Sequence, residues 1–176
     1  MNGIPLEQCI EQYGTELYAF CSQLTRNKQE AEDLYQDTFL KAIELGKPLI
    51  REDNPKSYLV SIALRIWKNR KRKYAWRNRI AGTGQYIEGD AQDADCCIWH
   101  SPEEALLEQE LYAQVQDAVA SLDDKYRIPI YLYYTLQLPC AQIGKILKLP
   151  QGTVKSRLHK ARKQLKQELE TIWGKS

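Results

Sequence analysis

The chain has 176 residues, 43% hydrophobic and 27% charged, an ordinary globular composition that excludes a fibrous or largely disordered protein. Its formal net charge of +2 says little about partners, but the charge is segregated into blocks. Residues 65–79 hold eight basic side chains and no acid, whereas residues 80–110 hold eight acids and no Lys or Arg.

Nothing approaches the about 20 consecutive apolar residues of a bilayer span. The first residues lack the basic-then-apolar pattern of a secretory signal, so a cytoplasmic protein is expected. The five cysteines are odd in number and scattered, which does not read as a disulfide framework. With 9 Gly and 7 Pro and an abundance of Leu, Lys, Gln and Glu, the sequence favours helices.

In chain order, 3.6-residue periodicity predicts a first helix over about 5–24, with Leu6, Cys9, Ile10, Tyr13, Leu17, Phe20 and Leu24 on one face. A second, over about 28–45, buries Ala31, Leu34, Tyr35, Thr38, Phe39 and Ala42, and Gly46 and Pro48 end it. A loop follows, and Pro55 suits the first turn of a third helix that turns Leu59, Ile62, Ala63, Ile66 and Trp67 inward before becoming the basic block. Between about 81 and 100 the periodicity dissolves into Gly and Asp, which reads as a flexible acidic linker. Ser101 then caps a helix over about 102–121 that has Pro102 at its first position and Glu103 and Glu104 in its first turn. Further helices are predicted over about 123–135, 140–147 and 151–173. The fold class is therefore all-α: one helical domain over 1–80, a linker over 81–100 and a second helical domain over 101–176.

Three stretches carry chemistry. The last two helices, separated by Lys148, Leu149 and Pro150, have helix-turn-helix spacing. In the final helix Val154, Leu158, Ala161, Leu165 and Ile172 form the apolar stripe. At 100° per residue, Ser156, His159, Lys160 and Lys163 lie about 140–240° away from Val154, opposite that stripe. Lys155, Arg162 and Lys166 flank them on one side and Arg157 on the other, and no acid occurs between Gln151 and Gln167. A groove-inserted helix needs this pattern, with donors for base edges outward and cations beside them for phosphates. Gln151 and Thr153 sit at the helix N-terminus, where a phosphate is favourably held. A solvated lysine-rich face is the plainer alternative, although such faces usually mix signs.

In the basic block, cations alternate with Trp67, Tyr74 and Trp76. Cations give salt-dependent affinity for phosphates, and aromatic faces stack on unpaired bases. Trp67 extends the apolar stripe and reads as core; for Tyr74 and Trp76 both stacking and simple solvation stay open. On the second helix, Glu30, Asp33, Asp37 and Glu44 share a stripe with an out-facing Leu40. This fits either protein docking, with charge for steering and an apolar anchor, or an ordinary polar face.

Taken together, these residues resemble the extracytoplasmic-function (group IV) sigma factors of bacterial RNA polymerase. The run Glu30-Ala31-Glu32-Asp33-Leu34-Tyr35-Gln36-Asp37-Thr38-Phe39-Leu40-Lys41-Ala42 resembles the segment of the sigma-two domain that docks on the β′ clamp helices. Leu122-Asp123-Asp124-Lys125-Tyr126-Arg127, Ile143-Gly144-Lys145-Ile146-Leu147 and Gly152-Thr153-Val154-Lys155-Ser156-Arg157-Leu158-His159-Lys160-Ala161-Arg162 resemble the sigma-four domain, which reads the minus-thirty-five element. The resemblance covers nearly the whole chain outside the linker.

It implies core polymerase as partner, through the β′ clamp helices and the β flap, with Glu30, Asp33, Gln36, Asp37 and Leu40 at the docking surface. Promoter DNA is the second implied partner. The minus-thirty-five element falls to Lys155, Ser156, Arg157, His159, Lys160, Arg162 and Lys163. The loop over 47–56 would capture a flipped minus-ten base, and the helix from Pro55 onward would follow the non-template strand, with Asn54, Lys56, Tyr58, Arg65, Lys68, Asn69 and Arg72 in contact. It also implies an anti-sigma protein, often membrane-anchored in this family, and no cofactor.

The sequence departs from the family at Asp123, where Pro is usual after Leu, at Pro129 inside a helix, and at Arg65, where Asn is common. The last departure means that no minus-ten sequence preference carries over. Two rival readings are a stand-alone helix-turn-helix regulator, which would bind a duplex site unaided as a dimer, and a metal or redox sensor built on Cys96, Cys97 and His100. Adjacent cysteines with one histidine supply too few correctly spaced metal ligands. Cys9, Cys21 and Cys140 read as small core residues. An enzyme is not expected, since no nucleophile–base constellation is visible.

Overall fold

A computed structural model describes residues 5–45, 54–82 and 102–174, the side chains of 102–105 excepted. Several expectations fall outside those residues: the Ser101 cap, most of the loop over 47–56, most of the linker, and Cys96, Cys97 and His100. The described residues form seven α-helices, one π-helical turn and no strand. The chain divides into two compact units, residues 1–94 and 95–176.

The first unit contains α1 (Leu6–Thr25), α2 (Lys28–Glu44) and α3 (Pro55–Ala81). The turn between α1 and α2 is short because each end is locally satisfied. Arg26 adopts the left-handed conformation and its N–H donates to the Ser22 carbonyl. Asn27 then caps α2, its side chain accepting from the Glu30 N–H at 3.0 Å. Asn54 caps α3 in the same way, accepting from the Ser57 N–H at 3.1 Å ahead of Pro55 at the first helical position.

Cys9, Leu17, Phe20 and Cys21 of α1, Ala31, Leu34 and Phe39 of α2, and Leu59, Val60, Ala63 and Trp67 of α3 are buried together. Each large aliphatic side chain taken out of water contributes about 1.5–3 kcal/mol, so this cluster holds the three helices. Helices α1 and α2 approach closely at Gly14, where a Cβ would stand 2.8 Å from the Tyr35 hydroxyl. Tyr35 packs edge-on against both Tyr18 and Phe39. The Cys21 thiol is pushed up to about 12 by burial, which keeps it protonated and inert. Ile10 differs from expectation in being exposed. Ile66 is only half-buried.

The second unit contains α4 (Pro102–Ser121), α5 (Asp124–Ile130), a π-helical turn (Tyr131–Thr135), α6 (Cys140–Leu147) and α7 (Gln151–Trp173). The single helix expected over 123–135 is thus interrupted. Buried Pro129 lies inside it and has no N–H to donate to the preceding turn. Two residues later the ladder widens, with the Leu136 N–H donating five residues back to Tyr131 at 3.2 Å.

Val119, Ile128, Leu132, Leu136, Ile143, Val154, Leu158 and Ala161 form the core of this unit. After Ala161 no residue of α7 is buried, which is why Ile172 is exposed rather than part of the apolar stripe. The end of α7 meets α4 through polar contacts instead. Ser121 Oγ donates to the Glu168 carboxylate at 3.0 Å, and Trp173 Nε1 donates to Gln114 Oε1 at 2.8 Å. Cys140, expected in the core, is half-buried at the first position of α6.

Candidate functional site

The helix-turn-helix is set by a tight turn. Lys148 takes the left-handed conformation, φ 55°, and the Leu149 N–H returns to the Gly144 carbonyl at 2.9 Å. Pro150 then opens α7, its carbonyl accepting from Thr153 and Val154. With Val154, Leu158 and Ala161 buried, Lys155, Ser156, His159, Lys160, Arg162 and Lys163 are exposed, and Arg157 is half-buried. Lys155, Lys160 and Lys163 carry no ion pair among the described residues. Such a face offers cations and short polar donors to an anionic groove without an acid to repel it.

Arg162 is placed differently from its neighbours. Its Nε donates to the Tyr134 hydroxyl at 2.7 Å, and its guanidinium carbon lies 5.4 Å from the Tyr133 ring centre and 5.6 Å from that of Tyr134. Sequence periodicity gave no hint of this contact, because it depends on the π-turn rather than on spacing along α7.

On α3 every buried residue falls between Leu59 and Trp67, so the second half of this helix of about 40 Å carries its cations free of the core. Arg65, Lys68, Asn69 and Arg72 are exposed, and Arg72 Nη2 donates to Asn69 Oδ1 at 2.7 Å. Tyr74 and Trp76 are exposed too, Trp76 by 63%. Trp67 is core, and its ring is covered by the Lys71 ammonium at 5.1 Å. The start of α3 is more enclosed. Asn54 serves as a cap, Lys56 pairs with Glu16 of α1, and the buried Tyr58 hydroxyl has no hydrogen-bond partner among the described residues.

The outer face of α2 exposes Glu30, Asp33, Gln36, Asp37 and Leu40, as its polar spacing suggests. Leu40 and Ile43 are each 57% exposed one turn apart. Ile43 escaped the sequence reading because a lone isoleucine near a helix end carries no periodic signal. Asp37 is also ion-paired to Arg70, a link between α2 and α3 that sequence spacing could not reveal. Among the described residues no cluster of His, Cys, Asp and Glu could hold a metal ion.

Comparison with known proteins matches residues 9–77 to the family model for sigma-70 region 2 and residues 112–165 to that for sigma-70 region 4. The chain is 32% identical over 167 residues to the ECF RNA polymerase sigma factor SigW of Bacillus subtilis, covering 93% of this chain and 88% of that one. It is 28% identical over 165 residues to SigL of Mycobacterium tuberculosis, covering 92% and 87%. Among solved structures it resembles the sigma factor RpoE of Bartonella quintana, solved in complex with the anti-sigma factor NepR. There the TM-score is 0.70 at 24% identity, over 93% of this chain and 96% of that one. It also resembles CnrH, solved with the cytosolic domain of CnrY, with a TM-score of 0.63 at 18% identity over 94% and 88%.

Proposed function

Since the chain belongs to the extracytoplasmic-function sigma factors of the sigma-70 family, we propose that its two units divide the work of finding and opening a promoter. The protein is a transcription initiation factor, not an enzyme; it binds core RNA polymerase and directs it to promoter DNA. The first unit, residues 1–80, docks on the polymerase through Glu30, Asp33, Gln36, Asp37 and Leu40 of α2. The β′ clamp helices and the β flap of the polymerase receive the two units. The same first unit grips the minus-ten region through Arg65, Lys68, Asn69 and Arg72 of α3, with Asn54, Lys56 and Tyr58 at the start of that helix. The second unit, residues 101–176, reads the minus-thirty-five element through Lys155, Ser156, Arg157, His159, Lys160, Arg162 and Lys163.

The observation that carries this reading is the pairing of an acid-free, outward cationic face on α7 with a family match in each unit. A further partner is an anti-sigma protein, as in the structural relative RpoE, solved with the anti-sigma factor NepR. The place of action is the cytoplasm, where the polymerase is found, with the inner face of the membrane as a holding site if that partner is anchored there. No helix among the described residues is long and apolar enough to cross a membrane.

Run-off transcription on genomic templates, with core polymerase in the presence and absence of the protein, tests the function directly. Promoter-specific transcripts that depend on the protein are expected. Their absence, together with dimeric binding to a duplex site without polymerase, would replace this reading by a stand-alone regulator.

Two variants test individual surfaces. Lys160→Ala is expected to weaken promoter binding by about 1–3 kcal/mol and to relax preference at one minus-thirty-five position. Unchanged preference in competition with mutated promoters would reassign Lys160 to a phosphate. Asp37→Lys is expected to weaken binding to core polymerase roughly tenfold, the scale of a close interfacial charge pair. Because Asp37 also pairs with Arg70, Arg70→Ala is the control. If both variants lose core affinity equally, the ion pair rather than the docking surface is responsible.

A further inference from the structure

We infer that Tyr133 and Tyr134 form a positioning platform that holds the Arg162 guanidinium ready to grip a DNA backbone phosphate. This rests on the sigma-four role proposed for α7. Three observations of geometry carry it.

First, the two rings stand 5.0 Å apart at 78°, and Arg162 lies beside both of them, at the hydroxyl edge of Tyr134. The guanidinium carbon lies at nearly equal distances from the two ring centres, 5.4 and 5.6 Å. An arginine beside two aromatic rings and bonded to one of their hydroxyls keeps less rotamer freedom than a free surface arginine.

Second, the hydrogen bond consumes the nitrogen least useful for binding an anion end-on. Nε donates to the Tyr134 hydroxyl at 2.7 Å, and among the described residues the two terminal nitrogens have no acceptor. Those nitrogens are the parallel donors that bind a phosphate bidentately. Arg162 remains exposed, so a phosphate can reach it.

Third, the platform lies where the backbone leaves the α-helical path. Tyr133 and Tyr134 lie within the π-turn, whose extra residue per turn shifts the following side chains around the helix axis. The turn begins two residues after Pro129. In this reading the proline disturbs the helix and the disturbance aims two tyrosines at α7.

Arg162 therefore contributes through a phosphate, with its entropy of ordering met in the free protein, while Tyr133 and Tyr134 act through Arg162 and touch no DNA. The test is promoter binding by holoenzyme assembled with full-length wild type, Tyr134→Phe, Arg162→Ala and the double variant, measured across a range of salt concentration. Tyr134→Phe keeps the ring and removes the hydroxyl. It is expected to weaken promoter binding roughly three- to tenfold, the scale of one partly exposed charged hydrogen bond. Arg162→Ala is expected to lower the salt slope by about 1, the mark of one lost phosphate contact.

The double variant is expected to bind no worse than Arg162→Ala alone, since removing the held group makes the holder irrelevant. Equal losses from Tyr134→Phe in both backgrounds, or no loss in the wild-type background, would overturn the platform. So would an unchanged salt slope in Arg162→Ala. A wild-type holoenzyme that binds no promoter at all would instead sink the sigma reading, and the phosphate contact with it.

Discussion

Replacing Gly144 by alanine is expected to unfold the second unit at markedly lower temperature, although the same change normally stabilises a helix. A Cβ at Gly144 would stand 2.7 Å from the Leu149 carbonyl oxygen, well inside van der Waals contact. That oxygen is backbone, so no rotamer change relieves the clash. It also belongs to the turn in which the Leu149 N–H bonds back to Gly144. The turn must open, or α6 and α7 must separate. Alanine gains at most about 1 kcal/mol of helix propensity, while forcing atoms into a packed site costs about 1–3 kcal/mol and more where backbone must shift.

The net effect expected is a destabilisation of about 2 kcal/mol, or roughly 4–8 °C in Tm for each kcal/mol in a domain of this size. Gly152, on the first turn of α7, gives the internal control, since nothing lies within 4 Å of a Cβ there. Gly152→Ala is expected to be neutral or slightly stabilising. Thermal unfolding of the two variants side by side decides the matter. Equal Tm values would show that the turn tolerates a side chain and that the close approach at Gly144 does not govern stability.

The second large effect is expected at Leu40. Its side chain is 57% exposed and has Asp33, Gln36 and Asp37 on the same face of α2 and Ile43 one turn on. An isolated exposed leucine means little. An exposed pair of large aliphatic residues within an acidic stripe is suited to filling a pocket on a basic partner. Leu40→Lys removes the anchor and reverses the local charge at once. Loss of a central anchor costs 2 kcal/mol or more, about a 30-fold loss of affinity for core polymerase. The free energy of unfolding is expected to stay within about 0.5 kcal/mol of wild type, as for any surface change away from a core or cap. Titration of labelled core polymerase reads the affinity and calorimetry reads the fold. Wild-type affinity in Leu40→Lys would move the docking surface away from this face. Leu40 is a cleaner probe than Asp37, which has the second role of bracing α3 through Arg70.

How far the sequence alone led differs from element to element. Helices α2, α6 and α7 were legible because each has an amphipathic stripe, and the start of α3 because Pro55 suits a first helical turn. The outward face of α7 followed from arithmetic on Val154, Leu158 and Ala161, all of which are buried. Local patterns failed where a residue's fate depended on something distant. Ile10 sits on the expected stripe and is exposed all the same. The helix expected through 123–135 is helical throughout 124–135 but widens to a π-turn from Tyr131, two residues after Pro129, a change of geometry that no local pattern announces.

The polar pairings were the least legible part. Lys56 with Glu16, Asp37 with Arg70, and Arg162 with Tyr134 join residues separated along the chain, and no periodicity encodes them. All three involve side chains that the sequence offered as surface contacts. Candidate interfaces read from exposure therefore need the internal partners of each residue before a role is given to it.

The long α3 has one more implication. Its first half is pinned by Leu59, Val60, Ile62, Ala63, Leu64 and Trp67, and its second half is held by no buried side chain. The packed half serves as a standing nucleus, so the basic half needs only propagation, one hydrogen bond per residue, to stay helical. Propagation works there against like charges four apart, Lys68 with Arg72 and Lys73 with Arg77. A polyanion laid along that stretch removes the repulsion, and whatever binds the helical form in preference to the frayed one stabilises it by mass action. If the minus-ten contacts proposed for α3 are made, the length of ordered α3 and the occupancy of those contacts form a single linked equilibrium, and the core of the first unit sets where that equilibrium begins.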